Sequence, residues 1–201
     1  MNSLAPLFET PFWDMGLLVA GTDEVGRGPL AGPVVAAAVL WPPGADLEGL
    51  DDSKRLTEAR RNRLYPEIVK RALAIGVGAA GPRTIERINI LEASRRAMRR
   101  ALAALPTTPE VVLSDAMELP GQPSYVVALI HGDRRAPSIA AASVVAKVLR
   151  DRYMTELARQ YPQYGFERHK GYATPEHLAA LRQFGPSPAH RQTFIDHLIE
   201  P

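Results

Sequence analysis

The sequence predicts an α/β protein: a mixed five-stranded sheet flanked by helices, with a helical extension at the C-terminal end. Five short apolar runs, bounded mainly by Gly, Pro or acidic residues, are typical of buried strands. The short early connections favour antiparallel pairing of the first three strands, and a longer helical crossover favours parallel addition of the fourth. Helical periodicity dominates the chain after the fifth run.

Each strand is predicted from an apolar run whose end carries turn-forming or charged residues. The run VVAAAVL is closed by Trp41, Pro42, Pro43 and Gly44, and the run LLVA stops at Gly21. The predicted strands cover residues 17–20, 34–40, 72–80, 111–115 and 126–130.

Helices are predicted where apolar residues recur at helical spacing. Thr57 is placed to cap the first helix, and Pro66 is expected to break or kink it. Apolar positions from Ile85 to Leu102 define the second helix, which ends before Pro106. The predicted helices cover residues 57–72, 84–105, 139–160, 175–184 and 191–198.

Length and composition indicate one globular domain. With 201 residues, 46% of them hydrophobic, the chain can bury a sizeable core. We expect an N-terminal extension over residues 1–15, the main domain over residues 16–160, and a C-terminal helical segment packed on it over residues 161–201. The sequence contains no cysteine, which excludes disulfides, thiolate metal sites and Cys nucleophiles. It contains neither a basic signal segment nor an apolar run of about 20 residues, so we expect a cytoplasmic protein with no membrane partner.

Charge is distributed unevenly although the net charge is only +2. Residues 55–100 hold twelve bases against four acids, and 20 of the 24 bases of the chain are Arg. Arg suits bidentate phosphate contacts, so this segment suggests a nucleic-acid partner. The predicted face of Arg95, Arg96, Arg99 and Arg100 fits either a duplex backbone or, slightly better, a solvated helix surface.

Acidic residues end three of the predicted strands. Asp23 and Glu24 follow the first, Asp115 ends the fourth and Asp133 follows the fifth. If the first and fourth strands are parallel neighbours, these carboxylates meet at one edge of the sheet, where functional groups of α/β proteins gather. Such a set of oxygen ligands suits Mg²⁺ or Mn²⁺. Each acid taken alone fits a helix cap or a solvated turn better.

A glycine-rich turn joins the first two strands. Gly26, Gly28 and Ala31 match the dinucleotide-binding pattern, but Pro29 and Pro33 and the following strand exclude the helix that this pattern requires. The segment remains a stiff turn whose backbone groups a ligand can approach closely. A purely structural hairpin explains the segment equally well.

The sequence resembles the ribonuclease HII family, the bacterial type 2 ribonucleases H, over residues 16–198. The resemblance rests on blocks in family order: residues 23–32 (DEVGRGPLAG), 52–56 (DSKRL), 89–91 (NIL), 132–133 (GD), 139–143 (IAAAS), 146–147 (AK), 150–151 (RD), 164–166 (YGF) and 169–172 (HKGY). It implies a ribonuclease H-like fold and metal-dependent hydrolysis of the RNA strand of RNA–DNA hybrids. It also implies incision on the 5′ side of a ribonucleotide embedded in duplex DNA, and a monomer.

The resemblance also assigns roles to individual residues. The matching catalytic acids are Asp23, Glu24, Asp115 and Asp133, which would also bind two Mg²⁺ or Mn²⁺ ions. The turn Gly26, Arg27 and Gly28 matches the motif that senses the ribose 2′-OH through backbone groups, and Tyr172 matches the tyrosine stacked at the ribonucleotide–deoxyribonucleotide junction. Without the resemblance, a surface or core tyrosine is the better interpretation of Tyr172.

Further substrate contacts are expected from residue type and position. Lys54, Lys147 and Lys170 are candidate phosphate contacts, although any one Lys fits a solvated surface better. Ser143 shares the longest helix with Lys147, and His169 is placed to assist the leaving group. Two bridged Mg²⁺ ions would activate water and stabilise an in-line displacement that leaves a 5′-phosphate and a 3′-hydroxyl.

Two features leave alternatives open. Ala116 and Met117 replace the Gly-Asn that usually follows Asp115 in the family, so a nucleic-acid-binding protein with weak or lost catalysis is the second hypothesis. A transposase or integrase core is disfavoured by the glycine turn and by Tyr172. Neighbours on a regular strand face opposite sides, so we expect the strand to deform at Glu24, or Glu24 to ligate through its backbone carbonyl.

Overall fold

The computed structural model describes residues 4–199. Its single five-stranded sheet has the order β3-β2-β1-β4-β5. The β1–β2 and β2–β3 pairs are antiparallel and the β1–β4 and β4–β5 pairs are parallel, which confirms the predicted mixed topology. The strands are β1 (Val19–Val25), β2 (Val34–Leu40), β3 (Ala74–Ala80), β4 (Val111–Asp115) and β5 (Tyr125–Leu129).

Helices cover both faces of the sheet and form the C-terminal region. They are α1 (Thr10–Trp13), α2 (Glu58–Arg71), α3 (Pro82–Ala103), α4 (Pro137–Gln160), α5 (Phe166–His169), α6 (Pro175–Phe184) and α7 (Gln192–Ile199). Short 3₁₀ segments cover Gly132–Arg134 and Pro162–Tyr164. Among the described residues, no helix has the length and apolarity to cross a bilayer. The expected N-terminal extension and C-terminal segment include residues 1–3 and 200–201, which lie outside the described residues.

Three sequence expectations need correction. Strand β1 begins at Val19 and continues to Val25, past the predicted stop at Gly21, because its pairing with β2 extends to that point. Helix α2 continues past Pro66 to Arg71, with Thr57 accepting the Arg60 N–H as its predicted cap. Helix α3 is interrupted at Asn89, which has a φ of 63°.

The interruption of α3 has a local cause. The Asn89 Oδ1 accepts the backbone N–H groups of Leu91 (2.9 Å) and Glu92 (3.1 Å), and this side-chain cap restarts the helix. Asn tolerates a positive φ better than most residues, so the chain can change direction here. The helical spacing of apolar residues continues across the break, which is why periodicity alone predicts one helix.

The two faces of β2 separate the two halves of the core. Ala36 and Ala38 pack with α3, whereas Ala37 and Val39 pack with α2 and α4. Small residues let α4 approach the sheet closely: a Cβ on Gly21 would lie 2.1 Å from the backbone carbon of Ser138. This close approach brings the first turns of α4 against β1, next to the acidic residues at its end.

The N-terminal segment also holds the start of α4. Glu9 is fully buried, and its Oε1 accepts the backbone N–H (3.0 Å) and the hydroxyl (2.6 Å) of Ser138. The N-cap residue Ala136 offers no side-chain acceptor, so Glu9 caps α4 from a distance of 129 residues. Burial raises the pKa of Glu9, and the hydrogen bonds from Ser138 oppose that shift.

Candidate active site

Three carboxylates meet at one edge of the sheet. Asp23 lies near the end of β1 and Asp115 at the end of β4, and these parallel neighbours place their ends side by side. Asp133 joins them from the 3₁₀ turn after β5. One oxygen atom from each of the three carboxylates lies within 4.8 Å of the other two. The predicted meeting of acids at strand ends is therefore seen for these three residues.

Backbone N–H groups fix the orientation of two of these carboxylates. The Asp23 Oδ1 accepts the Glu24 N–H at 2.7 Å, and the Asp115 Oδ1 accepts the Gly132 N–H at 2.7 Å. The second bond also ties the end of β4 to the turn that carries Asp133. Asp23 and Asp115 are thus held by main chain, and their side chains have little freedom left to lose when a ligand binds.

The acids raise one another's pKa. Burial, and then the charges of Glu24 and Asp115, hold the pKa of Asp23 well above its usual range. Burial, followed by the charges of Asp115 and Asp52, raises the pKa of Asp133 to about 7. Such a cluster favours the entry of a cation, because a positive charge removes the repulsion that the fold imposes.

Glu24 lies beside this cluster without joining it. Pairing of β1 with β2 stays in register through Val25, and Glu24 sits on the strand position that alternates with Asp23. Its Oε1 forms a 3.4 Å ion pair with Arg27, while its Oε2 is buried and lacks a hydrogen-bond partner within the described part of the chain. Burial raises the pKa of Glu24, and the charges of Arg27 and Lys54 oppose this shift.

These residues fit a divalent cation. The donors are carboxylate oxygens, which Mg²⁺ and Mn²⁺ prefer, and they converge within 4.8 Å at a partly open edge. The unpartnered Oε2 of Glu24 is a further oxygen that a cation or its water shell would satisfy. Asp23, Asp115 and Asp133 are the residues that would hold the ion, with Glu24 next to them.

A cavity of about 280 Å³ opens beside the acids and brings several predicted contacts together. Its lining residues are Glu24, Val25, Gly26, Arg27, Gly28, Lys54, Asp115, Ala116 and Tyr172. A Cβ on Gly28 would lie 4.0 Å from Cε1 of Tyr172, so the ring faces the turn. Partial burial by itself lowers the pKa of Lys54, but the nearby charges, chiefly Asp23 and Asp52, raise it overall.

The other predicted contacts have intramolecular partners. Lys147 Nζ forms a 2.6 Å ion pair with Asp151, and Lys170 Nζ donates to the Glu167 carbonyl at 2.6 Å. Ser143 is buried, and its hydroxyl forms a 2.8 Å hydrogen bond with the Ser53 hydroxyl. A hydrogen bond from Ser143 also stabilises the Asp23 carboxylate and partly opposes its raised pKa.

A row of three histidine side chains supports the loop that carries Tyr172. His169 Nε2 donates to the Tyr164 carbonyl (2.8 Å), and its Nδ1 accepts the Gly171 N–H (3.2 Å). His177 Nδ1 donates to the Tyr172 carbonyl (2.8 Å), which leaves its Nε2 to accept from His190 Nε2 (3.0 Å). Both ring nitrogens of the predicted residue His169 are therefore used within the loop.

Sequence reasoning missed several residues that build this site. Asp52 contacts Asp133, and its negative charge also raises the pKa of Lys54. Two buried arginines, Arg150 and Arg191, hydrogen-bond the turn between β1 and β2. The blocks DSKRL and RD contain Asp52 and Arg150 and so carried a local signal, whereas the carbonyls that the Arg191 guanidinium binds lie more than 150 residues away.

The Arg face of α3 is anchored to neighbouring backbone. Arg95, Arg99 and Arg100 donate to the carbonyls of Glu118 (3.1 Å), Pro120 (2.8 Å) and Ala79 (2.7 Å). Arg95 also pairs with Glu92 at 2.6 Å. These bonds agree with the interpretation of this face as a helix surface rather than as a surface that follows a duplex backbone.

The two residues that depart from the family pattern are accommodated in different ways. Ala116 adopts a φ of 49°, a left-handed conformation that favours glycine, and its N–H donates to the Leu129 carbonyl at 3.0 Å. Met117 is buried among the residues that pack with α3. The turn thus keeps Asp115 in place, with backbone strain at Ala116.

The fold and the acidic edge define a nuclease of the ribonuclease H class. The ribonuclease HII family model matches residues 20–197. Ribonuclease HII of Geobacillus thermodenitrificans is 57% identical over 177 residues, which are 88% of this chain and 68% of that protein. The enzyme of Lactobacillus delbrueckii subsp. bulgaricus is 52% identical over 187 residues, covering 93% of this chain and 73% of that protein.

Solved structures agree with these relatives. Ribonuclease H2 from Pyrococcus horikoshii superposes with a TM-score of 0.75 at 25% identity, covering 90% of this chain and 96% of that one. The ribonuclease HII of Archaeoglobus fulgidus, solved in complex with PCNA, gives a TM-score of 0.74 at 27% identity, covering 92% of this chain and 98% of that one. The chain belongs to the ribonuclease HII family and is therefore a metal-dependent endonuclease.

Replacing Ala116 by glycine should stabilise the protein. The left-handed backbone costs an L-residue roughly 1–2 kcal/mol, and the added chain entropy of glycine offsets part of that gain. We expect A116G to raise the free energy of unfolding by up to about 1 kcal/mol in urea titrations. A116V, which restricts the backbone further, should lower it; equal stability of the two variants would contradict a left-handed Ala116.

Acidification should weaken the imidazole row. Burial, and then the charge of a protonated His177, lower the pKa of His190 to about 4. The stability that neutral His190 contributes is complete above its unfolded pKa near 6.5 and is lost as the pH falls through about 4. We expect the stability advantage of wild type over H190Q to shrink between pH 7 and pH 4.5 in urea titrations. H131N, at an exposed histidine, is the matched control, and an advantage that does not change with pH would contradict the assignment.

Proposed function

We propose that this protein incises duplex DNA on the 5′ side of an embedded ribonucleotide and hydrolyses the RNA strand of RNA–DNA hybrids. The observation that carries the proposal is the cluster of Asp23, Asp115 and Asp133 within 4.8 Å, beside a cavity lined by the glycine turn and Tyr172. Membership of the ribonuclease HII family supports the ribonuclease H activity, and the neighbouring turn supports selection of the ribose.

Asp23, Asp115 and Asp133 would hold two divalent ions, Mg²⁺ or Mn²⁺, with Glu24 at their side. When bound, such ions supply an activated water and stabilise the attacking and leaving oxygens of an in-line phosphoryl displacement. The protein's own contribution is orientation, because backbone N–H groups already fix the carboxylates of Asp23 and Asp115. The products would carry a 5′-phosphate and a 3′-hydroxyl, since water and not the 2′-OH is the nucleophile.

Three features would place the substrate. Lys54 carries a positive charge at the cavity and would contact a phosphate without reading sequence. The N–H groups of Arg27 and Gly28 have no intramolecular acceptor in the part of the chain that the structure describes, so they can donate to a ribose 2′-OH. Tyr172 is 43% exposed opposite Gly28, and its ring would stack on the adjoining deoxyribose.

The second hypothesis, binding without efficient catalysis, depends on the departure at Ala116 and Met117. Asp115 still contacts Gly132 and still converges with Asp23 and Asp133 despite that departure. The geometry therefore favours the enzyme. The deciding experiment is incision of a duplex containing one ribonucleotide, with Mg²⁺ or Mn²⁺ and with chelator; an absence of metal-dependent incision by folded protein would refute the proposal.

Substituting Asp115 should greatly reduce turnover while preserving the fold. D115N retains the shape of the side chain but loses charge at the centre of the cluster, and we expect kcat to fall by about a hundredfold or more. D14N, at an exposed acid, should match wild type. Incision of the single-ribonucleotide duplex and thermal melts measure both effects, and near-normal turnover by D115N would remove Asp115 from the metal site.

Substitutions of Tyr172 should distinguish the contribution of its ring to substrate binding from that of its hydroxyl group. Y172A removes the stacking surface, so we expect KM for the single-ribonucleotide duplex to rise about tenfold, in line with the usual contribution of one stacked ring. Y172F keeps the ring and should stay within about threefold of wild type. Steady-state incision kinetics measure both constants. If Y172F loses as much as Y172A, the hydroxyl and not the stacked ring makes the contact.

A further inference from the structure

The side chain of Arg191 holds the turn between β1 and β2 from the interior of the protein. This residue is fully buried, and four hydrogen bonds from its guanidinium reach three backbone carbonyls of the turn. Nη2 donates to Gly26 (2.6 Å) and Gly32 (2.8 Å), Nη1 donates to Arg27 (2.8 Å), and Nε donates to Gly32 (3.0 Å). A planar guanidinium presents its N–H donors in fixed directions across a broad fork, whereas the donors of an ammonium group diverge from one atom and rotate about a single bond.

Arg150 joins the same turn to the loop that carries Tyr172. Its guanidinium donates to the carbonyls of Pro33 (3.0 Å), Ala31 (3.2 Å) and Lys170 (3.0 Å). A backbone bond from Leu30 N–H to the Gly171 carbonyl (2.8 Å) runs alongside. The two segments that line the substrate cavity are therefore connected through one buried side chain.

Neither buried cation has a carboxylate within ion-pair distance in the described part of the chain. Burial, and then the neighbouring charge of Arg150, lower the pKa of Arg191 to about 9. Burying an unpaired charge is costly, and neutral carbonyls compensate for it only in part. Core packing alone would be served better by apolar side chains, which indicates that the directions of these hydrogen bonds matter.

Those directions determine what the turn presents to the cavity. In a trans peptide the C=O and N–H groups point in opposite directions. Because Arg191 draws the carbonyls of Gly26 and Arg27 towards the interior, the N–H groups of the following residues, Arg27 and Gly28, turn outwards. These are the two N–H groups that have no acceptor within the described chain and that border the cavity.

We propose that Arg191 is a positioning residue for ribose selection: its guanidinium orients the peptides of Gly26 and Arg27 so that the turn offers two N–H donors to the 2′-OH. This inference rests on the proposed function, because it assumes that the turn senses the ribose. Arg150 assists by fixing the position of the turn relative to the loop that carries Tyr172. Arg191 itself contacts no substrate.

The test compares a ribonucleotide-containing duplex with an all-DNA duplex of the same sequence. Incision of the first gives KM, and inhibition by the second gives Ki, which reports binding without a 2′-OH. For R191K we expect KM to rise about tenfold towards Ki, while Ki stays within about twofold of wild type. R182K, the same change at an exposed position of α6, should alter neither constant.

The outcomes separate this inference from the proposed function. If wild type shows no difference between KM and Ki, the proposed ribose selection is wrong. If wild type discriminates and R191K discriminates equally, or if KM and Ki rise together, Arg191 has only a structural role and the inference fails. Thermal melts show whether R191K is folded at the assay temperature; if it is not, both constants are measured for R191K and wild type at a lower temperature at which the melts show both proteins folded.

Discussion

Three carboxylates held within 4.8 Å repel one another, and the surrounding structure has to offset that repulsion. Hydrogen bonds from the backbone N–H groups of Glu24 and Gly132 stabilise two of the carboxylates. Helix α4 packs so closely on β1 that a side chain at Gly21 would clash with its backbone. The start of α4 in turn depends on Glu9 from the N-terminal segment. Much of the packing near this edge therefore serves to hold three acids where a cation can join them.

The second half of the site has the opposite sign. Arg150 and Arg191 lie buried beneath the glycine turn, whereas Glu24 and Asp115 line the cavity together with the turn itself. A phosphodiester that enters this cavity would meet the acids on one side and, on the other, the backbone of the turn that the buried arginines support. The acids would therefore serve the chemistry and the buried arginines the recognition, although both depend on β1 and the turn that follows it.

Sequence reasoning succeeded where the signal is local. The run VVAAAVL coincides with β2, and acids at strand ends led to the cluster of Asp23, Asp115 and Asp133 once parallel pairing was assumed. It failed at Asn89, where the residue's own side chain caps a new helix start and interrupts an apparently continuous apolar pattern. No pattern in the sequence indicates that Arg191 belongs with Gly26, because 165 residues separate them.

That separation has a consequence for biosynthesis. A chain emerging from the ribosome exposes its N-terminal parts first, and contacts between distant residues form late. The residues that would bind the metal, up to Asp133, are complete well before Arg191 has been synthesised. The turn next to them stays without its buried support until Arg191 has been translated, so the support of the turn is acquired later than the metal-binding residues.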